Sequence, residues 1–76
     1  MFLSEKNINE VLGLSVISPL GNTGNVIDII KEEDNHKKEF RYRVRYDMVM
    51  ILWDRGNKSM LFHMQANKIK INDIIN

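Results

Sequence analysis

Three arginines, Arg41, Arg43 and Arg45, alternate with Tyr42, Val44 and Tyr46 inside the stretch EFRYRVRYD, residues 39–47. On a β-strand successive side chains point to opposite faces, so this spacing sets three guanidinium groups in a row, roughly 7 Å apart. A guanidinium fork grips carboxylate or phosphate in fixed geometry, and the pitch of the row is close to that of successive phosphates along a nucleic-acid strand. Such a row can follow a backbone without reading bases. Lys38, Arg55 and Lys58 fall in flanking loops that extend it. Two other uses stay open: a solvated or internally paired face that keeps a sheet edge from pairing, and a grip on an acidic protein surface.

For catalysis the inventory is thin. The chain has two histidines, His36 and His63, no cysteine, and no local pair of acidic residues in an apolar frame. His63 and Met64 do not make a soft-metal pair, because adjacent strand residues point apart and neither ligand count nor spacing suits a metal. The stretch GNTG, residues 21–24, is too short for a phosphate-cradling loop and lacks a following GK[ST] or GxxG, so it is expected to be a turn. Met48, Met50, Met60 and Met64 suit the irregular gaps of a core better than an adaptable peptide surface. Tyr42 and Tyr46 share a face with Phe40 and Val44, which favours packing over an aromatic cage with Trp53. The expectation is a protein that is not an enzyme and that takes no cofactor, metal or small-molecule substrate.

The elements that must position the arginine row follow from length and pattern. The 76 residues allow one domain, residues 1–76, whose small core leaves a homodimer open as a source of extra burial. Absence of cysteine excludes disulfide staples and fits a reducing cytoplasm. The start lacks the basic and apolar regions of a signal peptide, and the longest unbroken apolar run is residues 48–53, so neither export nor a membrane partner is expected. The net charge of +1 conceals an asymmetry. Residues 1–35 carry two lysines against six carboxylates, a charge of −4, whereas residues 36–76 carry nine cations against four carboxylates, a charge of +5. A basic half points to a polyanion, unless folding pairs the halves with each other.

Residues 4–12 predict a short helix, with Ser4 as cap, Glu5 in the first turn, Leu3 and Ile8 at the spacing of a hydrophobic staple, and Gly13 ending it. Ile8, Val11 and Leu12 then share one face. Strands are expected at residues 14–19, stopped by Pro19, at the β-branched residues 25–31, and at 40–46, where the period is strictly two. The polar residues 32–38 form the loop between the last two. Residues 48–53 are apolar on both parities. If the strand ran straight through Asp47, then Val49, Ile51 and Trp53 would continue the arginine face, so a bulge, a tight turn or strong coiling is expected near Asp47. A turn at residues 54–58, with Gly56 and Asn57 able to take positive φ, leads to a strand at 59–65. A last strand at 68–72 points Ile69 and Ile71 inward and Lys68 and Lys70 outward.

Five or six short antiparallel strands suit a small closed barrel, which removes the edges of an open sheet. The pattern GNTGNVIDI, YRVRYD, WDRG, LFH, IKI across residues 14–72 resembles small Src-homology-3-like (SH3-like) barrels of the KOW and Tudor type. In these a glycine turn precedes a β-branched strand, and a Y-x-V-x-aromatic-Asp strand follows. The run at residues 48–52 departs from the pattern, since such barrels have a tight polar turn directly after the Asp. The resemblance implies a mainly β fold and a binding module for nucleic acid, peptide or protein. With the arginine row, the expected partner is nucleic acid or an acidic protein surface. The alternative is a protein-interaction or assembly module, of a phage or mobile element for instance, whose complementary halves bind a partner or each other.

Overall fold

The computed structural model describes residues 1–32 and 46–72. Five strands, β1 (Ser15–Ile17), β2 (Thr23–Ile30), β3 (Met48–Trp53), β4 (Lys58–Phe62) and β5 (Lys70–Ile71), form one sheet in the order β4-β3-β2-β1-β5, with every neighbouring pair antiparallel. The protein is thus mainly β, as expected. The strand expected at 40–46 lies outside the described residues, apart from Tyr46, which sits at a bend before β3.

Each strand is bounded by residues that cannot extend it. β1 stops before Ser18 and Pro19; the latter has no N–H to give a ladder. Ser18 then closes the β1–β2 turn: its N–H donates to Asn22 O at 2.8 Å, its carbonyl accepts from Gly21 N–H at 2.9 Å, and its hydroxyl accepts from Asn22 N–H at 3.1 Å. Of the two glycines expected in this turn, only Gly21 takes positive φ, at 88°. Gly24 lies within β2, where a Cβ would come within 2.7 Å of Leu52 O and 2.8 Å of Trp53 Cε3. Its use is to let two backbones and an indole approach.

β2 and β3 align Val26 with Ile51 and Ile29 with Val49, and β3 and β4 align Val49 with Leu61 and Ile51 with Ser59. The register slips by one residue between Val26 and Asp28. A slip of this kind resets the side-chain parity of the strand, so Val26 and Ile29, three apart, both face inward. Leu3, Val11, Val16, Val26, Val49 and Ile51 are fully buried, and Trp53, Ala66, Ile69 and Ile71 complete the core. Ile69 and Ile71 point inward and Lys68 and Lys70 outward, as their alternation predicts.

The N-terminal helix expected at residues 4–12 does not form. Two 3-10 turns, Leu3–Glu5 and Ile8–Glu10, stand in its place, separated by an extended Lys6 with φ −86° and ψ 149°. Leu3 N–H donates to Ile69 O at 2.7 Å and Ser4 N–H to Ala66 O at 3.2 Å, so the segment is held along the sheet edge, where Phe2 bridges Lys70. Its inner donors close i→i−3 turns, Lys6 N–H to Leu3 O at 3.2 Å and Glu10 N–H to Asn7 O at 2.9 Å, in place of i→i−4 bonds. Ser4 caps nothing; Asn7 does, accepting from Asn9 N–H at 2.9 Å. Asn7, Ile8, Asn9 and Val11 are weak helix formers, and two turns of helix alone are marginal. Leu3 and Val11 still reach the core and Ile8 packs on it, but Leu12 is 56% exposed. Gly13 does take positive φ, at 86°.

Candidate functional site

Of the six residues expected to bind a partner, Arg41, Arg43, Arg45 and Lys38 lie outside the described residues. The other two are on the β3–β4 hairpin: Arg55 in the turn and Lys58 at the first position of β4, both exposed. Lys58 is opposite Leu52 on the outer face of the sheet, whereas Arg55 lines a cleft with Trp53 at the sheet's end. His36 lies outside the described residues, and among those described no group of three or more His, Asp or Glu side chains gathers to hold a metal. No helix among them is long and apolar enough to cross a membrane.

The β1–β2 and β3–β4 turns meet at one end of the sheet and are tied together. Asp54 N–H donates to Thr23 O at 2.9 Å, and the Thr23 hydroxyl donates to the Asp54 carboxylate. Within the hairpin, Trp53 N–H donates to Asn57 O at 2.9 Å and Gly56 N–H to Trp53 O at 2.8 Å, with Gly56 at φ 98°. Asn57, expected to share the positive φ, does not take it. The Trp53 indole N–H donates to Ser59 Oγ at 2.9 Å, which fixes the ring against the core. Arg55 is thereby carried on a hairpin with few loose degrees of freedom.

Two clefts open beside the β1–β2 turn. One, of about 430 Å³, lies between the two turns and is lined by Pro19, Leu20, Asn22, Trp53, Arg55 and Asn57, among others. The second, of about 530 Å³, lies between the same turn and β5, with Phe2, Asn67, Lys68 and Lys70 on its walls. Ser18 and Pro19 belong to both, so the clefts adjoin. Among the described residues no carboxylate lines either. Two stand beside them: Asp54, next to Arg55, accepts from the Thr23 hydroxyl, and Glu5 Oε2 accepts from Phe2 N–H at 2.7 Å.

Lys68, Lys70 and Phe2 were not among the expected binding residues. The alternation of KIKIN shows the lysines to be outward, but the pairing of β5 with β1, and of Phe2 with Lys70, is a contact between chain ends that no local pattern carries.

A different surface covers the outer face of β3 and β4. Met48 pairs with Phe62 and Met50 with Met60 on the side away from the core. Met60 is 44% and Met64 58% exposed, so these methionines do not fill the core as expected. Tyr46, expected in the core, is also exposed and meets the Phe62 ring edge-on, with centroids 6.4 Å apart. No protein family, no curated protein and no solved structure matches the chain in comparison with known proteins.

Proposed function

We propose that the chain is a non-enzymatic binding module, built as a small SH3-like barrel, that holds nucleic acid through its basic second half. Support for the barrel comes from the strand order β4-β3-β2-β1-β5 with a 3-10 turn (His63–Gln65) between β4 and β5. The N-terminal segment adds to it by reaching from one edge toward the other. Leu3 N–H bonds to Ile69 beside β5, while Leu3 O accepts from His63 Nε2 at 3.0 Å, directly after β4.

One observation carries the nucleic-acid reading. Every cation among residues 46–72, namely Arg55, Lys58, Lys68 and Lys70, is exposed. The same stretch holds two carboxylates, Asp47, which accepts from Glu32 N–H at 2.8 Å, and Asp54, which accepts from the Thr23 hydroxyl. Four exposed cations against two carboxylates leave the described part of the basic half with a net charge of +2. Arg41, Arg43, Arg45 and Lys38 add four more cations to the same half of the sequence.

The test is fluorescence anisotropy of labelled single-stranded DNA, duplex DNA and RNA at two salt concentrations. Binding that falls with a log–log slope of about −0.7 to −0.9 per phosphate contact, and is lost when Arg41, Arg43 and Arg45 become glutamate, supports the reading. Absence of binding at low salt refutes it. The outer face favours a second reading, a protein-interaction module or homodimer. Paired methionines beside Phe62 and Tyr46 form an adaptable apolar surface of the kind that docks protein, and such a contact is far less salt-sensitive.

A further inference from the structure

We propose that the two adjoining clefts form one groove for a single-stranded nucleic acid, with phosphates on Lys68, Lys70 and Arg55 and a base laid on Phe2. The proposal rests on the nucleic-acid reading above but names a surface other than the arginine row. Its ground is the order of groups across the sheet's end. Lys70 pairs with Ile17 on β1, Ile17 pairs with Thr23 on β2, and Thr23 is bonded to Asp54 next to Arg55. Three strand steps of about 4.8 Å, about 14 Å in all, separate the backbones at Lys70 and Asp54, and Arg55 is the next residue along the turn. Between them lie Pro19 and the Trp53 edge, apolar surfaces that tolerate any base.

Phe2 has a specific part in this. Its ring is part-exposed, and the Lys70 ammonium stands 6.0 Å from the ring centroid, at the weak limit of a cation–π contact. A phosphate outcompetes an aromatic face for that ammonium. As Lys70 turns toward the phosphate it uncovers the ring, so one nucleotide engages both side chains at once. The clefts, about 430 and 530 Å³, are open depressions that a strand can cross rather than closed pockets. A single strand is favoured over a duplex because only unpaired bases can lie on an aromatic ring.

Four forms of the full chain test this by anisotropy against a labelled oligothymidylate and a labelled polyglutamate peptide: wild type, K68E/K70E, F2A, and K6E/K31E as a control of equal charge change. Folding of each is checked by circular dichroism. The proposal expects K68E/K70E to lose at least tenfold in affinity for the oligonucleotide and to flatten the salt slope by about 1.4. F2A loses about five- to hundredfold with an unchanged slope, and K6E/K31E changes affinity less than threefold. Trp53, the single tryptophan, lines the groove and reports on it directly: its emission changes with the same midpoint as the anisotropy. Wild-type binding that K68E/K70E and F2A leave intact overturns the groove while leaving a nucleic-acid function in place. Equal losses in K68E/K70E and the control overturn it as diffuse charge attraction. Failure of the wild type to bind the oligonucleotide overturns both readings, and binding of the polyglutamate alone reassigns the surface to an acidic protein.

Discussion

The two faces of β3 are both apolar and are used in opposite ways. Inward, Val49 and Ile51 are fully buried and Trp53 nearly so, while outward Met48, Met50 and Leu52 are only half-buried. The inner set is β-branched or aromatic, stiff at the first side-chain torsion and matched to fixed neighbours: Ile29 and Leu61 beside Val49, Val26 and Ser59 beside Ile51. The outer set is mostly unbranched and flexible. A core gains from shapes with one good rotamer, whereas a surface that meets a partner gains from shapes that adjust. The difference between faces is therefore a difference in rigidity more than in hydrophobicity.

Shortening one residue on each face separates the two roles most clearly. Ile51→Ala removes a fully buried side chain from the centre of the sheet and is expected to cost about 3 kcal/mol, within the ~2–5 kcal/mol range for such truncations. For a chain of this size that is a large part of the total stability. Met50→Ala, one residue away, is expected to cost less than about 1 kcal/mol. Urea denaturation of both variants decides it, and equal costs would mean that the outer face is packed as tightly as the inner.

The next effect comes from adding volume. Gly24→Ala puts a methyl against Leu52 O and the Trp53 ring, at 2.7 and 2.8 Å, where backbone must move. The expected loss is about 1–3 kcal/mol. A near-neutral result, read as an unchanged denaturation midpoint, would show that the β2–β3 pair has slack at the turn end and would weaken the case for a fixed Trp53.

Smaller again is the tie between the chain ends. His63 lies within the chain fold at a 3-10 turn and bonds to Leu3 O at 3.0 Å, so its Nε2 carries the hydrogen, since a carbonyl only accepts. His63→Ala is expected to cost about 1 kcal/mol. Hydrogen exchange should speed up chiefly at Leu3 and Ser4, whose amides bond to Ile69 and Ala66. Protection that falls evenly across the sheet instead would show that the N-terminal segment is part of one cooperative unit rather than a strap along its edge.

How far the sequence reveals these features depends on whether the deciding contact is local. β1, β2 and β5 are legible because β-branched runs and stop residues such as Pro19 and Gly21 act within a few positions; β4 is legible only in part, since the strand expected at 59–65 ends at Phe62 and His63–Gln65 form a 3-10 turn. The inward set of β3 is not, because a strand apolar on both parities carries no phase of its own, and its phase is set only by pairing with β2 and β4. The helix expected at 4–12 fails through distant contacts as well: weak helix formers leave two turns marginal, and Leu3 and Ser4 are held at the sheet edge by Ile69 and Ala66, more than sixty positions away. The site divides likewise. Outward cations at Arg55, Lys58, Lys68 and Lys70 are readable from polarity, while the cleft that sets Phe2 and Lys70 beside Pro19 exists only through pairing between the two ends of the chain.

The smallest expected effect on stability is also the most informative about the outer face. Met60 is 44% exposed and stands opposite Met50, on a strand at the edge of the described sheet. Met60→Lys leaves the core untouched and is expected to change stability by less than about 0.5 kcal/mol, as surface substitutions usually do. A lysine at that position sets a charge amid Met48, Met50 and Phe62, and on an edge strand it also disfavours pairing with another strand. If the face is an interface between copies of the chain, analytical ultracentrifugation will show a wild-type dimer that Met60→Lys returns to monomer, with both forms insensitive to salt. If wild type and variant are both monomeric at high concentration, the flexible outer side of β3 has no partner in a second copy. The weight of function then shifts to the cationic end of the sheet, where salt dependence, rather than burial, governs binding.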